Sequence, residues 1–384
     1  MNTHLLPVFL LLTILAFLNC SSLPKISSAN ESSAQESSTV GKIISIQNLS
    51  EKRASHSATL LPNGKVVIIG GMERNGVFFD TAEIFDPETN KFIVSKSKMN
   101  MARVGHTATL LPDGKILIVG GWSNRDTPEA SAEIYDSQAD SFTAIRGINR
   151  KRSGQTATLL ESGKVLIAGG FDGKENLNDT EIYDPQNKTF TLGGKLSNAR
   201  SAHSATMLAD GRILLSGGEF SDRQISSSAE IYNPKTNSFA ATGEMKSVRY
   251  KHDSILLKDR RVLIFGGSDS RDWNGQYKSA EIYDPRNGEF TAAGDMNLAR
   301  FKIDGTSVLL KDGKVLIAGG AAEAEIFDPN TKTFSIVKGK IGEPIYYASV
   351  TLLKDGRALI VGGYGRGTRQ AGPVSTNQAW IFQL

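Results

Sequence analysis

Cysteine is nearly absent: one residue in 384, so the chain can build neither a disulfide framework nor a cysteine-ligated zinc site. Stability has to come from packing and closure. Charge of one sign is not concentrated anywhere either, because the 44 basic and 40 acidic residues interleave along the chain, which argues against a nucleic-acid footprint. The leading apolar run, Leu5 to Leu18, is interrupted by Pro7 and Thr13 and is too short to cross about 30 Å of hydrocarbon as a helix. It reads as the apolar part of an export signal.

Glycine, in contrast, is abundant at 38 residues, and a Gly-Gly pair recurs starting at Gly70, Gly120, Gly169, Gly217, Gly266, Gly319 and Gly362. The spacings of 50, 49, 48, 49, 53 and 43 define an internal repeat. Each unit carries an alternating segment such as His106 to Leu111, a glycine turn, and an apolar run such as Lys115 to Val119 before the pair. That is a hairpin. A loop of variable length leads to a third strand such as Ala132 to Asp136, a short turn, and a fourth strand around Phe142 to Ala144. The apolar runs before the pairs lack alternation, as expected of strands buried on both faces. The pair itself either relieves a close backbone approach or supplies positive φ at the strand end.

Six units are complete, and the seventh stops after Ala379-Trp380-Ile381-Phe382. Its missing strand is expected at the other end, in Lys42 to Ile46, which would close a ring and leave no open sheet edge. A period near 50 with this content resembles the kelch family from about residue 42 to 384, which implies an all-β, seven-bladed propeller. The expected organisation is a signal segment over 1–19, a Ser-rich flexible tether over 20–40 and the propeller over 41–384. The signal ends at Phe17-Leu18-Asn19-Cys20, which resembles a bacterial lipoprotein signal with Cys20 as the lipidated residue. That implies an exported protein anchored to a membrane of the cell envelope, periplasmic or at the surface, or else a secreted one.

Charged residues recur inside the repeat. Arg53, Arg103, Arg152, Arg200, Arg249 and Arg300 precede the first strands, and Glu83, Glu133, Glu181, Glu230, Glu281 and Glu325 stand in the third strands. The seventh unit has Ile345 and Trp380 instead, and losing both together is expected if each Arg pairs with the Glu of its own blade, since half a buried pair is costly. His56, His106, His203 and His252 share a column with Gln155, Ile303 and Ala348. They belong to different blades, so packing or hydrogen bonding is the expected role rather than metal ligation.

Recognition is expected in the variable loops between second and third strands. The candidates there are Trp122, Arg125, Phe171, Phe220, Arg223, Arg271, Trp273, Tyr277, Tyr364 and Arg366, of types that anchor interfaces. The sixth loop, Ala321 to Glu323, is very short and is expected to leave a notch beside the fifth and seventh loops, favouring their aromatics. The function this supports is a monomeric, non-catalytic, cofactor-free binding module for a protein or glycan, with no nucleic-acid partner. The alternative is a carbohydrate-acting enzyme of the galactose oxidase or sialic-acid-processing kind, using Arg366, Asp269, Asp272 or Glu219. The copper chemistry of the first kind needs a Tyr-Cys cross-link, and the single cysteine, Cys20, lies outside the domain.

Overall fold

A computed structural model describes residues 41–384 except 75, 125 and 369–371, so the leader with Cys20, and Arg125, lie outside the described residues. Seven four-stranded antiparallel sheets form the blades. The second strand of each is wholly buried, as in Val66–Ile69, Ile116–Val119 and Val165–Ala168. Blade against blade, these strands form successive apolar clusters: Val67 and Ile69 of blade 1 pack on Ile116 and Ile118 of blade 2. The fourth strands are the exposed rim, with Ile93 58% and Leu192 69% accessible. Among the described residues there is no α-helix, only two three-residue 3-10 turns at Ser221–Arg223 and Asp272–Asn274.

The ring closes through the chain's own beginning. Lys42–Ser45 pairs antiparallel with Ala379–Gln383, Lys42 opposite Gln383 and Ser45 opposite Trp380, which supplies the fourth strand of blade 7. Blade 5 departs from the repeat, its fourth strand running from Glu289 to Arg300 with register shifts against Tyr277–Asp284.

The Arg and Glu columns meet inside each blade. Arg103 donates to Glu133 at 3.0 Å, and the same contact joins Arg53 to Glu83 at 3.0 Å, Arg152 to Glu181 at 3.0 Å and Arg200 to Glu230 at 2.9 Å. Arg249–Glu281 at 2.8 Å and Arg300–Glu325 at 3.0 Å complete the set. All twelve side chains are shielded from water. The other guanidinium nitrogen donates to the carbonyl of the first glycine of the pair, as from Arg103 to Gly120 at 3.1 Å and Arg249 to Gly266 at 2.7 Å. Each Glu also accepts from a backbone N–H of the incoming inter-blade loop, as from Asn100 to Glu133 at 2.7 Å and Asn297 to Glu325 at 2.7 Å.

The glycine pair needs both properties the sequence suggested. Gly120 and Gly121 have φ of +65° and +83°, and a Cβ on Gly120 would stand 2.6 Å from the Arg152 carbonyl of the next blade. That carbonyl accepts the N–H of Gly121 at 3.0 Å, and the same bond links Gly71 to Arg103 at 2.8 Å and Gly363 to Arg53 at 2.9 Å. A side chain there would part adjacent blades.

In blade 7 the charged pair is replaced by Ile345 and Trp380, both 3% exposed and packed with Ile360 and Phe382. A matched apolar substitution of a buried pair is close to neutral, while breaking one costs about 3–5 kcal/mol. Glu133→Ala is therefore expected to lower the urea-unfolding stability by about that amount. Arg103→Ile combined with Glu133→Trp, copying blade 7, should recover more than half of the loss; a double variant as unstable as the sum of its singles would contradict this account.

Candidate functional site

In every blade but the sixth, the residue after the glycine pair forms a bridge with the residue just before the left-handed position that opens its own blade. Trp122 pairs with Val104, Phe171 with Ser153, Glu219 with Ser201 and Tyr364 with Tyr346. This fixes one side chain in each of those blades at the mouth of the ring. The following position, Ser55, Gly105, Gly154, Ala202, Lys251, Lys302 and Tyr347 around the ring, is left-handed throughout, with φ between +51° and +63°. Their backbones join across blades: Gly105 N–H to Ser55 O at 3.0 Å, Ala202 to Gly154 at 2.8 Å, Lys251 to Ala202 at 2.9 Å, Lys302 to Lys251 at 2.9 Å, Tyr347 to Lys302 at 2.8 Å and Ser55 to Tyr347 at 2.9 Å. The result is a hydrogen-bonded collar that runs through six of its seven joints and is open between Gly105 of blade 2 and Gly154 of blade 3.

Above the collar opens a cavity of about 1090 Å³. Its walls differ. On blades 1 to 4 the lining includes Met72, Phe78, Trp122, Phe171 and Phe220, with Asn124, Asn176 and Arg223 between them, and the Trp122 and Phe171 rings lie 6.4 Å apart. On blades 5 to 7 it is formed by Lys251, Asp304 and Tyr347. Such a volume, with apolar faces and a few polar groups, has the dimensions of a ligand site.

Of the sequence candidates, Trp122, Phe171, Phe220 and Arg223 line this cavity. The others do not. Arg271 is exposed and paired with Asp269 at 2.6 Å, and Tyr277 lies under the Arg249 guanidinium at 5.4 Å. The expected notch beside the sixth loop is filled. Trp273 of the fifth loop meets Phe301 and Tyr346 edge-on, both at 4.8 Å, and Tyr364 of the seventh loop, 5% exposed, joins the same cluster. Arg366 covers Trp273 at 5.1 Å. A short loop left room, and the aromatic side chains of its neighbours took it. Of the enzyme candidates, Glu219 lines the cavity while Asp272 is held by Tyr250 Oη at 2.7 Å and Lys251 Nζ at 3.2 Å. Sequence reasoning overlooked Lys251, Lys302 and Tyr347, although the column before the histidines changes there from small residues to large ones.

The histidines bond across blades. His106 Nε2 meets Ser57 Oγ at 3.0 Å, His203 meets Thr156 Oγ1 at 3.1 Å, His252 meets Ser204 Oγ at 2.9 Å and His56 meets Ser349 Oγ at 2.9 Å. Burial, followed by the nearby Arg charge, pushes His56, His106 and His203 down to about 3, and His252 well below its ordinary value. Nearby, burial and then Asp304 raise Asp253 to about 7, while desolvation within the channel raises Asp304 to about 6.

Two kelch models match the sequence: one described as a KLHDC2/KLHL20/DRC7 Kelch-repeats domain over residues 33–218, and the Kelch motif over residues 257–297. No curated protein matches significantly. Among solved structures, a fungal alcohol oxidase of the AA5 family in complex with copper is similar at a TM-score of 0.72 and 18% identity, covering 90% of this chain and 76% of that one. With seven four-stranded blades and a closing N-terminal strand, the molecule is a seven-bladed β-propeller, a fold it shares with that oxidase. It belongs to the kelch-repeat proteins. The residues present do not fit copper: each cavity histidine spends Nε2 on a neighbouring blade's hydroxyl, and among the described residues no three of His, Cys, Asp and Glu gather as metal ligands.

The buried groups set a pH dependence whose sign follows from proton counting. Between about pH 6 and pH 5 the unfolded chain binds close to four protons on these histidines and leaves the two aspartates largely ionised. The folded state does the reverse, holding two protons on Asp253 and Asp304 and none on the histidines. Histidine stability is complete above the unfolded value of 6.5 and is lost as pH falls toward about 3. The aspartates oppose it. A net of two protons lowers stability by about 2.7 kcal/mol per pH unit on acidification. His106→Gln, which copies Gln155 of blade 3, is expected to reduce the slope of unfolding stability measured from pH 6 to pH 5 by one proton, about 1.4 kcal/mol per pH unit; an unchanged slope would count against neutral buried histidine.

Proposed function

We propose that this protein is a non-catalytic binding module that takes a short glycan or protein segment into the funnel above the collar. The observation that carries the reading is the two-walled cavity: four aromatic rings from four successive blades arranged around amides and hydroxyls, on a backbone fixed by the collar. Aromatic faces supply contact area at little entropy, and a rigid scaffold lowers the ordering cost of binding. The six equivalent Arg–Glu pairs are buried and bonded within their own blades, away from the funnel. The AA5 oxidase supports shared architecture, and at 18% identity its activity does not transfer.

The leader resemblance supports a lipid-anchored envelope protein. Lys42 enters the ring beside Gln383, at the end of the third strand, on the face of the hairpin turns. The funnel opens on the opposite face. A tether attached at Lys42 would therefore present the cavity away from the membrane.

The test is a thermal-shift screen against short glycans and peptides, followed by calorimetry on any hit. Trp122→Ala and Phe220→Ala are each expected to weaken binding by at least about tenfold, the scale of an interface hot spot, with the free protein's melting temperature little changed. Arg271→Ala should leave affinity as it is. A ligand indifferent to both aromatic changes would sink the funnel as the binding site.

A further inference from the structure

Blade 6 carries an irregularity that opens onto the funnel. From its arginine to the first glycine of its pair, Arg300 to Gly319, the chain advances 19 residues, against 17 from Arg249 to Gly266 in blade 5. The extra length forms a turn at Asp304-Gly305, ahead of the first strand Ser307–Leu309. The Thr306 N–H closes it on the Ile303 carbonyl at 3.0 Å, with Gly305 at φ +71° as the third residue of the turn. Both neighbouring blades hold it in place. The same N–H donates to Asp253 Oδ2 of blade 5 at 3.1 Å, and the Gly305 carbonyl accepts from Val350 of blade 7 at 3.1 Å. Asp304 at the tip is exposed and lines the cavity on the wall that faces the aromatic arc.

The protein supplies no cation for it. Lys251 is held by Asp272 at 3.2 Å, and Lys302 is turned into its own rings, 4.1 Å from the Trp273 centroid. Among the described residues no cation stands within ion-pair distance of Asp304, or of Glu219, the half-buried carboxylate of the blade 4 lining. The exposed charges of the rim come as two of each sign, Lys174 and Arg223 with Glu175 and Asp222, so the excess lies deeper, on Glu219 and Asp304. Two amides add acceptors. Gln155, 6% exposed, commits Nε2 to the Val119 carbonyl at 3.1 Å, and Asn176 commits Nδ2 to the Phe220 carbonyl at 2.5 Å. Each is left with a buried side-chain oxygen that has no partner, and both residues line the cavity. A buried acceptor left unpaired calls for a donor from the ligand.

We propose that the funnel takes a basic segment of a partner protein, laying one lysine or arginine side chain along the aromatic arc with its charged head at Asp304. The inference rests on the funnel reading above and narrows its ligand from glycan or protein to a cationic peptide side chain. Such a side chain matches both walls at once: its apolar stem and cationic head suit Trp122, Phe171 and Phe220, and its N–H groups suit the carboxylate and the amide oxygens. A sugar hydroxyl donates equally well to the amide oxygens but brings no charge to a carboxylate that binding would shut off from water. The pinned turn holds Asp304 in place before the ligand arrives, which lowers the ordering cost.

The experiment titrates the full chain with acetyl-Gly-Gly-Lys-Gly-Gly-amide, its arginine counterpart and a counterpart with norleucine in place of lysine, followed by saturation-transfer NMR. Titrations run at about pH 7.5, above the value of about 6 to which burial raises Asp304, so the carboxylate is ionised. The lysine and arginine peptides should each bind at least about tenfold more tightly than the norleucine peptide. Asp304→Asn should abolish that preference, whereas Trp122→Ala should weaken all three, with melting temperatures showing both variants folded. Equal affinity for lysine and norleucine peptides, no binding of either basic peptide at millimolar concentration, or a cation preference that survives Asp304→Asn would overturn the inference. A neutral trisaccharide, maltotriose, that binds through Trp122 while the basic peptides do not would overturn it and leave the funnel standing as a binding site; binding of any probe that ignores Trp122→Ala would remove the funnel itself.

Discussion

The arginine before each first strand is the joint on which the ring depends. Its guanidinium ties the first glycine carbonyl and the third-strand Glu of its own blade, while its main-chain carbonyl receives the second glycine's N–H from the blade before. One residue thus bonds within a blade and between blades. Blade 7 separates the two duties. Ile345 still accepts from Gly320 at 2.6 Å, although it has no charge to offer Trp380. The main-chain link between blades is kept at every unit compared here, whereas the ion pair gives way to apolar packing once both partners change together.

That joint explains why the two faces of the ring are built so differently. Hairpin turns such as Pro112-Asp113-Gly114-Lys115 repeat with little variation, Asp113 accepting from the Lys115 N–H at 3.1 Å. The opposite face grows from glycine pairs and collar residues whose backbone is already satisfied, so its side chains can vary without unpaired polar groups. Small collar residues on blades 1 to 4 leave the funnel open to Phe78, Trp122, Phe171 and Phe220. Large ones on blades 5 to 7 pack inward instead, and the mouth becomes two-sided.

Repetition made most of this fold legible in the sequence. Gly-Gly spacing, the doubly buried second strands and the missing fourth strand each recur or fail in register, so Lys42 to Ile46 reads as the fourth strand of the blade that holds Ala379 to Phe382, and it pairs there. The site was legible in part. Trp122, Phe171, Phe220 and Arg223 follow glycine pairs and line the cavity, but loop length was a poor guide to space at the sixth loop. Length measures backbone, and the volume there is decided by Trp273, Phe301, Tyr346 and Tyr364, all four from other segments. Lys251 and Lys302 are two of 44 basic residues, with nothing local to set them apart. Only the left-handed collar, which no periodicity announces, turns them toward the ring.

Repetition also separates architecture from function. A feature present in most blades, such as the Arg–Glu pair or the histidine that bonds the preceding blade's hydroxyl, has to serve the ring, because a ligand at the axis meets each copy from a different direction. A feature present once breaks the symmetry and is free to serve a ligand. By that criterion the histidines at the channel are structural despite their chemistry, and their perturbed ionisation is a cost of burial that the hydroxyl bonds offset. The asymmetric groups are the aromatic arc on one wall and the Asp304 turn on the other, both resting on the same collar. A ligand settling against the arc would approach that carboxylate across a floor of backbone hydrogen bonds that cannot yield without opening the joints between blades.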